Sequence, residues 1–467
     1  MASHRLVLPA PPEVYQSRRA RLGAELSRPL VIFAGSARSR NLPAMTYPFR
    51  AGSHYLYFGG PPIEGAALIL EPGSDGRNGC TLVRSTYGFE ASVWVGPPPS
   101  DEPIAQAAGL TMSSLIEPGA LEQSLAGPKA EFIAPPCAAT EKLAATLQLE
   151  DAAADVRSLI VDMRLIMDEH ELRQLRLAAA AGVEAHLHAM SATKPGATEA
   201  TVAGALIGSL VQGGCDVSFS PIVTVRGEIL HCEGFPNTLE AGQLLLVDAG
   251  AEVASGYASD ITRTYPVSGR FDTMQRQLYD TVLRAEREAM AACVPGRRYR
   301  DVHDIAARAI CLGLVEAELL RGDPEELFAR RAHTLFFTHG VGHLLGLDVH
   351  DMEDLGDLAG YPAGRSRRPE FGNKYLRLDR DLEPGMVVTI EPGIYLVPEV
   401  WANDELAGPF ADVVNRRAVD DLLKARFGGI RIEDDVHVRG KDAGGPEILT
   451  ADLPTDPDAL TALVGKD

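Results

Sequence analysis

The chain has 467 residues, 45% of them hydrophobic and 23% charged, a composition that buries a large core and excludes wholesale disorder. At about 150 residues per domain, the length allows two or three domains. Asp and Glu number 64 against 44 Lys and Arg, a net charge of −20, which excludes general binding to nucleic acid or anionic membranes.

No apolar run approaches the roughly 18 residues of a membrane span, and the opening MASHRLVLPAPPEVYQSRR lacks a signal-peptide apolar stretch. Cys80, Cys137, Cys215, Cys232, Cys293 and Cys311 are dispersed without a CxxC pair. Scattered thiols of this kind predict a reduced, cytoplasmic setting.

In chain order, Leu30–Ala34 (LVIFA) and Ala66–Leu70 (AALIL) read as buried strands among Pro- and Gly-rich loops. Residues 1–165 therefore read as a compact α/β domain without a reactive constellation. The next stretch, MRLIMDEHELRQLRLAAAAGVEAHLHAMSA, predicts one long helix or two. It starts near Asp168 and ends before Lys194-Pro195-Gly196, which places a domain boundary near residue 165 and a second domain over 166–467. Thr198–Gln212, Gln275–Ala292 and Tyr299–Leu314 read as further helices. Ile222–Val225, Leu244–Val247, Ile261–Val267, Val387–Ile390 and Ile430–Val438 read as strands.

Four stretches of the second half carry chemistry. In LLLVDAGAEVASGYASDITRTYPVSG, an apolar strand delivers Asp248 and a returning strand delivers Asp260, with the midpoint near Ala254. A hairpin sets the two carboxylates close to opposite each other, a conflict that a divalent cation removes. The bland alternative is one turn aspartate and one solvated one. FFTHGVGHLLGLDVHD holds His339, His343 and His350, with Gly340 and Gly342 opposing a regular helix. Imidazole suits both metal ligation and acid–base work, while hydrogen-bonded core histidines are the rival reading. LEPGMVVTIEPGIY ends a buried strand at Glu391, stopped by Pro392-Gly393. FGGIRIEDDVHV alternates, with Arg431, Glu433 and Asp435 on one face; in isolation, Arg431 and Glu433 read as an exposed ion pair.

Together these stretches supply Asp248, Asp260, His343, Glu391 and Glu433. An oxygen-rich set without thiolate favours Mn²⁺ or Co²⁺, with Zn²⁺ or Fe²⁺ also compatible. Four carboxylates exceed the need of one ion and suit two ions about 3.5–4 Å apart, an arrangement made for hydrolysis.

The order of these residues resembles the ligand series of the pita-bread metallopeptidases. HGVGHLLGLDVHD, EPGMVVTIEPGIY and GGIRIEDD are similar to the proline-specific branch, aminopeptidase P and prolidase. Upstream, TYPFRAGSHYLYFGG resembles the signature of their non-catalytic N-terminal domain. The resemblance implies an α/β (α+β) fold in which an aminopeptidase P-type N-terminal domain precedes a pita-bread catalytic domain. It implies two divalent ions, Mn²⁺ foremost, with Asp248 on one, Asp260 and Glu433 bridging, and His343 and Glu391 on the other. Glu391 would also act as general base or proton shuttle. His231, His339 and His350 match histidines that hold substrate or stabilise the intermediate, and Arg431 matches a supporting or substrate-contacting arginine. The implied reaction is cleavage of the first peptide bond when proline follows, by a homodimer or tetramer acting on proline-containing peptides. Prolidase activity is the alternative, since Arg377 sits where prolidases carry an arginine for the substrate carboxylate; an ion pair with Asp379 or Asp381 is its bland reading. A metal-free binding homologue and a creatinase-like hydrolase are disfavoured because all five ligand types are present. Four departures concern the substrate pocket: the aspartate spacing is one residue longer than usual, the stretch before His231 (PIVTVRGEILH) is shorter, Phe219 stands where a tyrosine is common, and Cys232 follows His231 where an aromatic is common.

Overall fold

The computed structural model describes residues 8–84, 88–125 and 129–466. They fall into two compact units: one runs up to Leu165 and includes Asp354–Gly356, and the other takes Ile166–Glu353 and Asp357 onward. Among the described residues, no helix is long and apolar enough to cross a membrane.

The first unit contains β1 (Leu30–Phe33), β2 (Ala67–Leu70), β3 (Cys80–Val83), β4 (Leu115–Ile116), β5 (Glu131–Ile133) and β6 (Glu150–Asp151). They form a six-stranded mixed sheet in the order β4-β3-β2-β1-β5-β6. Central β1 runs antiparallel to β2 and parallel to β5. Every residue of β1 and β2 is buried, and Val31 and Phe33 share a core with Ala67, Ile69 and Val83. Cover on both faces explains why these strands are continuous apolar runs rather than alternating ones.

The second unit opens with one long helix, Glu169–Ala192. Its start is set by Asp168, whose carboxylate accepts from the N–H groups of His170 and Glu171, while the Glu171 side chain reaches back to the Asp168 N–H. This helix packs on Glu199–Gln212, and Thr273–Ala291 packs on Tyr299–Glu316. The helices back a set of short strands: β7 (Asp216–Val217), β8 (Ile222–Thr224), β9 (Leu244–Ala249), β10 (Ala251–Glu252) and β11 (Ile261–Pro266), then β12 (Val387–Ile390), β13 (Gly393–Tyr395), β14 (Gly429–Arg431), β15 (Asp434–His437) and β16 (Glu447–Ile448). Strands β8, β9 and β11 make one sheet, β12, β15 and β16 another, and β13 with β14 a ribbon.

The run from Ile430 to Val438 is not one strand. It breaks at Ile432-Glu433, where the chain leaves the β13 ladder for the β12 ladder. At the break, the Glu433 N–H donates to the Thr262 carbonyl at 3.0 Å. That bond stitches the segment to β11 and removes the need for a continuous partner strand.

Candidate metal centre

Asp248 is the fifth residue of β9, and its partner across the ladder is Thr262, not Asp260. The pairings Asp248 with Thr262 and Glu252 with Ala258 both centre on Ser255. Asp260 therefore sits diagonally from Asp248 on the same face, instead of opposite it. Even with the diagonal offset, the charge of Asp248 acts directly on Asp260.

His343 lies in a non-helical loop beside β12: its N–H donates to Thr389 Oγ1 at 3.2 Å, and its carbonyl accepts from the Thr389 N–H at 3.0 Å. The close approach depends on Gly342, where a Cβ would come within 2.2 Å of the Thr389 carbonyl oxygen. The same loop meets the end of β12, because the Glu391 N–H donates to the Val341 carbonyl at 2.7 Å. His343 and Glu391 thereby reach the site from adjacent chain segments.

Asp260, His343 and Glu433 are buried, and one ligand atom of each lies within 4.8 Å of the others. His343 Nε2 is 3.4 Å from Asp260 Oδ2 and 3.8 Å from Glu391 Oε1. His343 Nδ1 lies 2.9 Å from the Leu344 carbonyl. A carbonyl only accepts, so the ring proton is on Nδ1 and the Nε2 lone pair faces the carboxylates.

Asp248 joins from the other side through Arg431, whose Nη2 donates to Asp248 Oδ2 at 2.5 Å. The exposed pair of Arg431 with Glu433 does not form: Arg431 is 4% and Glu433 2% exposed. Both faces of this segment are covered, so its alternation did not mark a solvent face.

Burial, followed by the charge of Asp248, pushes the Asp260 carboxyl well above its usual range. Burial and the charge of Asp260 do the same to Glu433. Burial also raises Glu391, to about 7. Three buried oxygens of this cluster, Asp248 Oδ1, Asp260 Oδ1 and Glu433 Oε1, have no hydrogen-bond partner. Buried polar atoms are normally satisfied, and buried, unpartnered carboxylate oxygens in a cluster with an imidazole suit a divalent cation.

The histidines flank this cluster. The His350 ring stands at 78° to that of His343 with centroids 4.4 Å apart. His339 Nδ1 is 3.6 Å from Glu391 Oε2, and its Nε2 is 2.7 Å from the Tyr395 hydroxyl. Arg431 Nη1 donates to that hydroxyl at 2.9 Å. A guanidinium cannot accept, so the tyrosine proton points to His339 Nε2. Burial lowers His339 to about 3 and His350 to about 2, so both stay neutral. His231 is exposed, yet close enough that its charge helps lower both.

Arg377 pairs with Glu353 at 2.5 Å, not with Asp379 or Asp381. Asp379 is taken by Arg298 and Arg300, and Asp381 by Arg365. Glu353 Oε2 is also 4.0 Å from His350 Nδ1, which sets Arg377 near the histidine side of the cluster. Tyr395 and Thr262 were not singled out from sequence. Tyr395 closes the EPGIY motif, and Thr262 follows Asp260 by two residues, the period that puts it on the same strand face.

The model of metallopeptidase family M24 matches residues 173–440, and that of the aminopeptidase P N-terminal domain matches residues 15–121. The chain belongs to metallopeptidase family M24. Its two-domain α/β architecture is the N-terminal aminopeptidase P domain followed by the pita-bread domain. Among similar M24 relatives is "Xaa-Pro aminopeptidase" of Escherichia coli (strain K12), 30% identical over 96% of this chain and 97% of the relative. "Xaa-Pro aminopeptidase" of Haemophilus influenzae is 30% identical over 90% and 93%. Among solved structures, "Proline aminopeptidase P II from Yersinia pestis" superposes with a TM-score of 0.80 at 31% identity, covering 97% of this chain and 99% of that one. Aminopeptidase P from E. coli, solved with the inhibitor Pro-Leu, gives 0.78 at 29%, over 97% and 98%. An M24 metallopeptidase is a metal-dependent peptidase, and the buried cluster is the part of this chain suited to the metal.

Proposed function

We propose that this enzyme is an Xaa-Pro aminopeptidase, removing the N-terminal residue of peptides whose second residue is proline. The observation that carries the reading is the buried trio Asp260, His343 and Glu433, with ligand atoms within 4.8 Å of one another, together with the buried, unpartnered oxygens on Asp248, Asp260 and Glu433. Two divalent ions, with Mn²⁺ first by donor chemistry, fit this set. Asp248, Asp260, His343, Glu391 and Glu433 would hold them. When bound, such ions activate a water and polarise the scissile carbonyl.

The remaining roles belong to the chain. Glu391, between His343 and His339, moves the proton from the attacking water to the leaving proline nitrogen. Neutral His350 offers a ring N–H to substrate, His339 lines the site with its Nδ1–H held by the Gly340 carbonyl and its Nε2 by the Tyr395 hydroxyl, and His231 stands at the exposed side as a further contact. Arg431 fixes Asp248 and the Tyr395 hydroxyl, and through Tyr395 it keeps His339 in one tautomer.

A dipeptidase reading has its own support in Arg377, a fork suited to a free carboxylate, held near His350 by Glu353. The named relatives favour the aminopeptidase. The test compares chelated and Mn²⁺-loaded protein on Xaa-Pro-Yaa and Xaa-Pro peptides. Metal-dependent release of Xaa, with kcat/KM higher on Xaa-Pro-Yaa, is the expected result; a metal-independent rate, or turnover of peptides lacking proline alone, overturns it. The same reading carries a homodimer or tetramer, to be measured by sedimentation velocity.

A further inference from the structure

We infer that Thr262 is a positioning residue of the metal centre, whose hydroxyl selects which oxygen of Glu433 faces the ions; the inference rests on the metal-binding reading above. Thr262 is fully buried in β11, directly across from Asp248. Its Oγ1 lies 3.1 Å from Arg431 Nε and 2.6 Å from Glu433 Oε2. The guanidinium can only donate, so Oγ1 accepts from Arg431. A hydroxyl has one proton, and that proton is left for Glu433 Oε2. With Glu433 ionised, as a metal ligand is, it can only accept, so Thr262 donates to it.

The consequence is a matched arrangement on two carboxylates. Glu433 has Oε2 tied to Thr262 and Oε1 buried without a partner. Asp248 has Oδ2 tied to Arg431 and Oδ1 buried without a partner. One oxygen of each is anchored in the protein and the other is presented to the cluster. The backbone of Thr262 completes the hold, since its carbonyl accepts from the Glu433 N–H at 3.0 Å. Groups that orient a ligand in this way typically contribute about 10–100-fold in metal affinity or activity.

Thr264 provides an internal control. It lies on the same strand face, is equally buried, and its hydroxyl bonds only to the backbone of Arg431, at 2.9 and 3.1 Å. The experiment titrates Mn²⁺ into metal-free wild type, Thr262→Val, Thr262→Ser and Thr264→Val, following heat and the EPR signal of free Mn²⁺, with thermal melts alongside. Thr262→Val keeps the shape and loses the hydroxyl. It should weaken Mn²⁺ binding about 10–100-fold, while Thr262→Ser returns to within a few-fold of wild type. Thr264→Val should melt earlier yet bind Mn²⁺ as wild type does. If Thr262→Val does not fold, Thr262→Ala against Thr262→Ser makes the same comparison of hydroxyl absent and present. Wild-type affinity in the variants lacking the Thr262 hydroxyl, or equal weakening in Thr264→Val, overturns the positioning role. Failure of the wild-type protein itself to bind Mn²⁺ overturns instead the metal reading beneath it.

Discussion

Arg431 and Asp248, 183 residues apart in sequence, meet at 2.5 Å in the buried centre of the second unit. The guanidinium also donates to Tyr395 and Thr262, so one side chain ties β9, β11 and β13 to β14. Replacing Arg431 with Met leaves the Asp248 carboxylate buried and unpaired, and breaking a buried pair in this way costs about 3–5 kcal/mol. Urea unfolding of metal-free protein should show that loss. Added Mn²⁺ should restore part of it, because a ligand that binds only the folded state stabilises it. An unchanged midpoint without metal would mean that the pair contributes no stability.

Asp260 and Glu433 are the proposed bridges, so Asp260→Ala and Glu433→Ala should each lose both ions and not one. Metal content after dialysis, read by atomic emission, checks the stoichiometry. Hydrolysis of Xaa-Pro-Yaa should fall by several orders of magnitude. Near-normal turnover of Asp260→Ala after chelation and repletion would exclude the two-ion arrangement.

His350 stands against His343 without being placed as a ligand. His350→Ala should therefore keep two ions and lower kcat, by about 10²–10³ if its N–H stabilises the intermediate. Loss of an ion in that variant would make His350 a ligand.

Arg377→Ala separates the two exopeptidase readings. An aminopeptidase should keep its preference for Xaa-Pro-Yaa over Xaa-Pro in the variant, measured as a ratio of kcat/KM values. A strong dipeptide preference in wild type that collapses in the variant would identify Arg377 as the carboxylate anchor and the enzyme as a dipeptidase.

The acid limb of stability has a source away from the metal cluster. His333 is buried, and its pKa is lowered to about 3, first by burial and then by His303; Asp304, Arg331 and Arg368 also act on it. The folded state holds it neutral, whereas the unfolded chain protonates it near 6.5. The unfolded state therefore binds the extra proton, and stability falls as pH drops below about 6.5 and continues to fall toward 3. Urea midpoints measured from pH 7.5 to 5 should decline less in His333→Leu than in wild type; parallel slopes would exclude His333 as a source.

The sequence by itself determined the composition of the site and much of its scaffold. Gly- and Pro-bounded apolar runs marked β1, β2, β9 and β12, and Asp168 marked the start of the long helix, because burial pattern and capping are local properties. The motifs around Asp248, Asp260, His343, Glu391 and Glu433 named a candidate ligand set and its chemistry, since donor type depends on residue identity alone. Tertiary structure alone decided three things. It offset Asp260 diagonally from Asp248, because register follows the turn centre at Ser255 and not the midpoint of the two aspartates. It buried Arg431 and turned it to Asp248, because the strand it ends is covered on both faces by elements distant in the chain. It gave Arg377 to Glu353, because Asp379 and Asp381 were already claimed by Arg298, Arg300 and Arg365. The last two depend on which remote segment meets a hydrogen-bonding group in the fold, and local sequence carries no record of that pairing.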